Sequence, residues 1–246
     1  MGKGVRIAIA MAAVVTIFSI GAFLYLTRSV AAPTIAIQDS VAEISAADVS
    51  TNETVFRISQ DDSTVEYNIF EVLNGSDKTV VGTTDQVAGD ILINLTDPTQ
   101  SEIGDISINA RTFATDDTRR DNSVARFILQ SEDDANQFIT FKATSISGLT
   151  TTPIAVGDSV EFTVTGDLTI AGTTQSATFT VTVTLESADK LVGSAETTVL
   201  RSDFGLTIPS VPFVANVGDE VTLKLNFVAA QVEWVNGSGD CSWLTT

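Results

Sequence analysis

Between residues 54 and 230 the apolar positions recur at every second residue. The clearest run is Ala177, Phe179, Val181, Val183 and Leu185, with Thr at every position between them. Alternate side chains of a strand point to opposite faces, so this run is a strand with one dry face and one wet face. Thr suits the wet face because it is β-branched. The same alternation marks Val160-Phe162-Val164 and Val221-Leu223-Leu225-Phe227. It is weaker at Val65-Tyr67-Ile69, Ile91-Ile93-Leu95, Ile106-Ile108-Ala110 and Ile139-Phe141-Ala143. Turn signals separate the runs, at Asn74-Gly75-Ser76, Asp97-Pro98, Gly157-Asp158, Ala171-Gly172 and Gly218-Asp219. Residues 158–185 read as one long hairpin about Ala171-Gly172. Strand following strand through short connections predicts antiparallel pairing and an all-β fold, either a barrel or a sandwich. Only residues 115–137, polar and charge-rich around the short apolar patch 124–129, break the period. They are expected to form a helix-bearing excursion between two strands. No internal repeat and no second domain is evident, so residues 55–230 form one domain.

The N-terminus follows a different pattern. Residues 7–26 are apolar apart from Thr16, Ser19 and Gly21, and they follow Lys3 and Arg6. As a helix, 20 residues rise about 30 Å, enough to cross the hydrocarbon core. The basic residues predict a cytoplasmic N-terminus. The competing reading is a secretory signal cleaved near Ser29-Val30-Ala31-Ala32, but signal h-regions run only about 7–15 residues. Residues 1–32 are therefore expected to be an uncleaved signal-anchor, a single transmembrane helix. The domain would then lie on the extracytoplasmic side of the cell membrane, or be periplasmic or secreted if cleavage occurs. Residues 33–54 lack sustained periodicity and predict a flexible stalk. Residues 231–246 read as a loose tail carrying Trp234, Cys241 and Trp243.

Composition narrows the chemistry. The chain has 13 basic and 31 acidic side chains, a net charge of -18, and three of the basic groups lie in the first 32 residues. Such acidity argues against nucleic acid as a partner, because affinity for phosphate backbones comes from Lys and Arg. There is no His, which removes Ser-His-Asp and Cys-His catalysis and His-ligated zinc. One Cys allows neither an intrachain disulfide nor a multi-cysteine metal site. No nucleophile elbow, Ser-x-x-Lys motif or cluster of metal ligands occurs, so no enzyme, no metal and no cofactor is expected.

Five pieces of sequence, in order, carry a resemblance. Arg120-Asp121 lies in the excursion. Phe138-Ile-Thr-Phe141-Lys-Ala-Thr144 resembles a "P-x-I-x-F-x-S-T" strand without its Pro. Gly166-Asp-Leu-Thr-Ile-Ala-Gly-Thr-Thr174 resembles "G-D-L-T-I-x-G-x-T". Arg201-Ser-Asp-Phe-Gly205 resembles "N-R-S-D-F-G" with Leu200 in place of Asn, and Val217-Gly-Asp-Glu-Val221 resembles "V-G-D-x-V". Together they resemble the YceI-like family, the bacterial lipocalin-like polyisoprenoid-binding proteins, over roughly residues 56–230. That resemblance implies an extended antiparallel eight-stranded barrel around a long apolar cavity, in an exported protein that holds a polyprenyl or quinone lipid. The family's early His-Ser is Asp62-Ser63 here, and its His and Phe-Phe-Asp element after Arg-Asp is replaced by residues 122–129. A headgroup contact made by either His would be missing.

The expected cavity lining is Phe141, Phe162, Phe179, Val181, Val183, Leu223, Leu225 and Phe227, mid-strand on the apolar faces. Arg120 with Asp121 and Arg201 with Asp203 are candidates either for charge pairs closing the barrel ends or for headgroup contacts. Arg119, Arg120 and Arg126 cluster in the excursion, but Asp116, Asp117 and Asp121 lie among them and favour a neutral headgroup. Gly166, Asp167 and Gly172 read as turn chemistry. The alternation alone fits equally well a structural or adhesive surface domain with a packed interior and no lipid.

Overall fold

In the computed structural model, which describes residues 30–209 and 214–233, thirteen strand segments form one antiparallel sheet. They are β1 (Glu53–Ile58), β2 (Thr64–Leu73), β3 (Ser76–Thr84), β4 (Val87–Ala88), β5 (Asp90–Asn94), β6 (Glu102–Ile103) and β7 (Ile106–Asn109). After the excursion come β8 (Phe138–Ser147), β9 (Ser159–Ile170), β10 (Thr173–Ser187), β11 (Lys190–Leu200), β12 (Val214–Ala215) and β13 (Glu220–Gln231). The all-β class and the antiparallel pairing are as expected. The strand count is not eight, because the first half of the domain is broken into short pieces. A 3-10 turn at Gln60–Asp62 separates β1 from β2, Gly89 separates β4 from β5, and Gly104-Asp105 separates β6 from β7.

Those breaks let one stretch of chain serve four neighbours. β3 pairs with β2, β4 with β7, and β5 with both β1 and β6. Meanwhile β7 to β11 pair in sequence and β11 pairs with β13, which lies beside β1 and β2. The sheet therefore curls around on itself. Its inner face holds a core that includes Phe56, Val87, Val164, Leu168, Leu191 and Ala229, all nearly inaccessible.

The long hairpin is as read from the sequence. Phe162 lies opposite Val181, and the turn at Ala171-Gly172 has both residues at positive φ. Gly166 is a correction, since it is not at the turn but in the middle of β9. A Cβ there would lie 2.3 Å from the Lys142 carbonyl oxygen and 2.6 Å from the Phe141 ring. Gly193 in β11 plays the same part for the Phe227 ring directly across from it, at 2.5 Å. Glycine is required at both places because a neighbouring backbone or ring already occupies the space of a side chain.

The excursion contains the expected helix, α1 (Thr118–Ser123), followed by a wider π turn at Val124–Ile128. Asp117 caps α1, its carboxylate accepting from the backbone N–H groups of Arg119 at 2.7 Å and Arg120 at 3.3 Å. These two bonds hold the Asp117 carboxyl below the usual carboxylate range. The anchor expected at residues 7–26 lies outside the described residues, as do Trp234, Cys241 and Trp243. Among the described residues no helix is long and apolar enough to cross a membrane.

The stalk expected at residues 33–54 is not free, because its backbone and side chains find partners on the sheet. Ile37 is buried against β4 and β7, and the Ser40 and Ser107 hydroxyls are 2.8 Å apart. The Thr34 hydroxyl donates to Gln137 Oε1 at 2.6 Å. Arg111, itself inaccessible, donates to the Ala32 carbonyl at 3.1 Å, to Gln137 Oε1 at 2.9 Å and to Asp134 Oδ1 at 2.6 Å. Farther along, Arg57 forms a two-pronged pair with the buried Asp90, at 2.9 and 3.0 Å, and reaches Glu43 at 2.9 Å. The Ile44 N–H donates to the same Asp90 carboxylate at 2.9 Å.

The Arg57–Asp90 pair generates a prediction. Replacing Arg57 by Met leaves Asp90 buried with only the Ile44 N–H as partner. Breaking a buried pair from one side costs about 3–5 kcal/mol. Urea unfolding of Arg57→Met should show a loss of that order, and a loss below about 1 kcal/mol would mean that the pair does not fasten the segment.

Candidate functional site

The alternation that builds the strands also sets what faces inward. On β9 and β10 the inward residues are Phe162, Val164, Leu168, Phe179, Val181 and Val183. On β13 they are Leu223, Leu225 and Phe227. They surround a void of about 130 Å³. Phe141, Phe162, Phe179, Val181, Val183, Leu223, Leu225 and Phe227, named above from the sequence, are placed around this void. The wall is completed by Ile58, Val65, Ile91, Ile103, Ile106, Ile108, Phe113, Ile139, Ile170 and Ala195, with Glu66 and Lys224 as its charged members. Val164 and Leu168 share the face of Phe162 and were legible from the same alternation. Phe113 was not, because it lies outside any period-two run.

The aromatic walls are not equally fixed. Phe141 is buried and meets Phe179 edge to face, with ring centroids 5.0 Å apart. Phe227 is buried against Gly193. Phe162, Phe179, Val183, Leu223 and Leu225 are only half-buried.

The polar candidates do not pair as the sequence offered them. Arg120 does not take Asp121 as its partner. It reaches Glu71 Oε1 at 3.2 Å and also bonds Asp116, which in turn accepts from Lys78 at 2.6 Å. The bonds from Lys78 and Arg120 hold the Asp116 carboxyl below its ordinary range. Asp121 instead accepts from the Thr115 N–H at 2.8 Å and the Thr115 hydroxyl at 2.6 Å. Arg201 donates to the carbonyls of Gly218 and Leu206, each at 2.9 Å, and stands 3.7 Å from Asp219. Asp203 contributes its carbonyl to Gln175 at 2.7 Å. Arg126 is buried and bonded to Glu132 at 3.0 Å, away from any shared site with Arg120. These groups fasten loops at the end of the sheet where α1 lies. Among the described residues no three metal-ligating side chains converge.

A residue that the sequence did not single out stands between the apolar wall and this polar end. Tyr67 packs edge to face on Phe113, with centroids 5.3 Å apart, and its ring lies over Gly82 of β3. Its hydroxyl is buried with no hydrogen-bond partner among the described residues. Burial, with Asp121 and Glu71 nearby, pushes its pKa up to about 12.

Residues 56–229 match the family model described as YceI-like domain, well over half of the chain. The chain belongs to the YceI-like domain family. Its YceI-like fold is shared with the crystal structure of Burkholderia cenocepacia BcnA. Identity to BcnA is 21%, the TM-score is 0.55, and the match covers 70% of this chain and 99% of BcnA. A second YceI-like match is a polyisoprenoid binding domain from Saccharophagus degradans implicated in plant cell wall breakdown. There the identity is 11%, the TM-score is 0.53, and coverage is 73% of this chain and 99% of that one. At these identities the likeness is one of fold. No curated protein matches the chain significantly.

Tyr67 gives a prediction with a definite sign. The folded chain keeps the Tyr67 proton up to about pH 12, whereas the unfolded chain releases it near pH 10. Stability should therefore fall as pH rises from about 10 to about 12, by about 2–3 kcal/mol from this group. In Tyr67→Phe that fall should be absent, with stability near neutral pH changed by no more than about 1 kcal/mol. Denaturant unfolding of both forms between pH 8 and 12 checks this, and identical pH profiles would refute it.

Proposed function

We propose that this chain holds an isoprenoid lipid in the apolar interior of its curled sheet. The observation that carries the reading is the continuous apolar wall contributed by β1, β2, β5 to β11 and β13. Burying each methylene contributes about 0.8 kcal/mol, so such a wall retains a hydrocarbon chain without many polar contacts. Membership of the YceI-like family supports it, as does the fold shared with a polyisoprenoid binding domain. The headgroup that fits best is neutral and quinone-like. Arg120 and Arg126 are already committed to carboxylates, and the chain beyond residue 32 carries 10 basic and 31 acidic groups.

The void of about 130 Å³ is smaller than the roughly 300–1,000 Å³ of ordinary ligand pockets. A lipid must therefore displace wall residues, and the half-buried ones outside the Phe141–Phe179 ring pair, among them Phe162, Leu223 and Leu225, have room to yield. The same small volume favours the second reading, a surface domain with a packed interior.

The membrane belongs to this proposal as well. Residues 7–26 supply a hydrophobic span, and Ala32 is bonded to Arg111 on the domain. A six-residue connection reaches at most about 20 Å, so an uncleaved anchor holds the domain close to the bilayer from which a lipid would come.

Two measurements test the reading. Protein purified from its native host, extracted with organic solvent and analysed by mass spectrometry, should release an isoprenoid with a neutral headgroup. Recovery of a pyrophosphate would overturn the headgroup assignment, and a folded protein yielding no lipid would favour the packed domain. Mass spectrometry of the intact native chain should find the N-terminus upstream of residue 7. A start near Pro33 would replace the anchored protein with a soluble exported one.

A further inference from the structure

The interior is not one void but two. Beyond the main space lies a second, of about 50 Å³, lined by Ile93, Leu95, Ile154, Val160, Leu185 and Leu191 among others. It sits toward the end of the sheet formed by the loops 95–101 and 148–158. Four residues line both spaces: Ile91, Ile103, Phe162 and Val183. Ile91 and Ile103 are register partners across β5 and β6. Phe162 stands opposite Val181, two positions from Val183, across β9 and β10. A pair from one wall thus meets a pair from another, and together they divide the interior.

We propose that Phe162 is the partition that sets how long a chain the interior accepts, an inference that rests on the lipid-binding reading above. Ile91, Ile103 and Val183 are β-branched and stiff about χ1. Phe162 is the largest of the four and is only half-buried. Phe141 and Phe179 brace each other edge to face, but Phe162 is in neither of the two ring pairs among the described residues. The partition therefore has one large swinging member between three stiff ones. A chain that fills the main void ends against Phe162, and a longer one enters the second void only when the ring is removed or turned aside.

The test uses the full chain in mild detergent, with native mass spectrometry to read retained ligand. The probes are geraniol, farnesol, geranylgeraniol and a C55 polyprenol, and thermal unfolding confirms that each variant is folded. Wild type should show a length beyond which retention stops rising. Phe162→Ala should move that limit up by at least one isoprene unit and raise retention of the first excluded alcohol at least tenfold, since each added buried methylene is favourable. Phe179→Ala enlarges the main void only and should leave the limit in place. Val183→Phe thickens the partition and should lower the limit, which keeps the inference testable should Phe162→Ala fail to fold. A limit unchanged in both partition variants, or shifted equally by Phe179→Ala, overturns the partition while leaving lipid binding intact. Failure of wild type to retain any of the alcohols removes the lipid reading and the partition with it.

Discussion

Large inward side chains in this sheet depend on small ones beside them. The Phe227 ring occupies the space over Gly193, Tyr67 the space over Gly82, and Phe141 the space beside Gly166. Leu191 faces Ala229 in the same way. Interiors pack at close to crystal density, so the space over each of these glycines is already filled by the neighbouring ring. This size matching fixes the register of β11 on β13 and of β2 on β3, because a slip of two residues would drive a ring into a side chain. It also decides where space remains. The void lies among Phe162, Phe179, Leu223 and Leu225, which are half-buried on its wall.

Cations are scarce in this chain, and the described structure spends most of them as fasteners. Arg57 ties β1 to Asp90 and Glu43, Arg111 gathers Ala32, Gln137 and Asp134, Arg120 joins α1 to Glu71, and Arg201 gathers the carbonyls of Leu206 and Gly218. Each links segments distant in sequence. Arginine suits this work because its five donors form a rigid fork that satisfies several acceptors at once. The consequence for function is that the ends of the sheet are closed by satisfied ion pairs rather than by open positive charge.

The segment preceding β1 links these two themes. Residues 32–44 bond to Arg111, Gln137, Ser107 and Asp90, three of them side chains from the part of the fold where short strands and the excursion meet. Between the short strands β4 to β7 and the excursion, this segment covers polar side chains such as Ser107, Asp90 and Gln137, which are buried. A stretch with no periodicity of its own is thus ordered by partners that lie from about 46 to about 100 residues away.

Period-two alternation was enough, by itself, to establish the all-β class, the antiparallel hairpin at Ala171-Gly172 and which side chains share the inward face, because side-chain direction along a strand is local geometry. The helix-bearing excursion was legible because residues 115–137 interrupt that alternation. The alternation could not reveal β3 or β11, whose inward positions are Val80, Gly82 and Thr84 and Gly193, Ala195 and Thr197. Gly82 and Gly193 interrupt those runs because the Tyr67 and Phe227 rings fill their space, and that is a fact of pairing, not of local pattern. Pairing likewise decided that Gly166 makes room for Phe141, that Arg120 takes Glu71 in place of Asp121, and that residues 32–44 bond to the rest of the domain. It also decided that the interior is parted at Phe162. A single strand shows which way a side chain points, and only the neighbouring strands determine what it meets there.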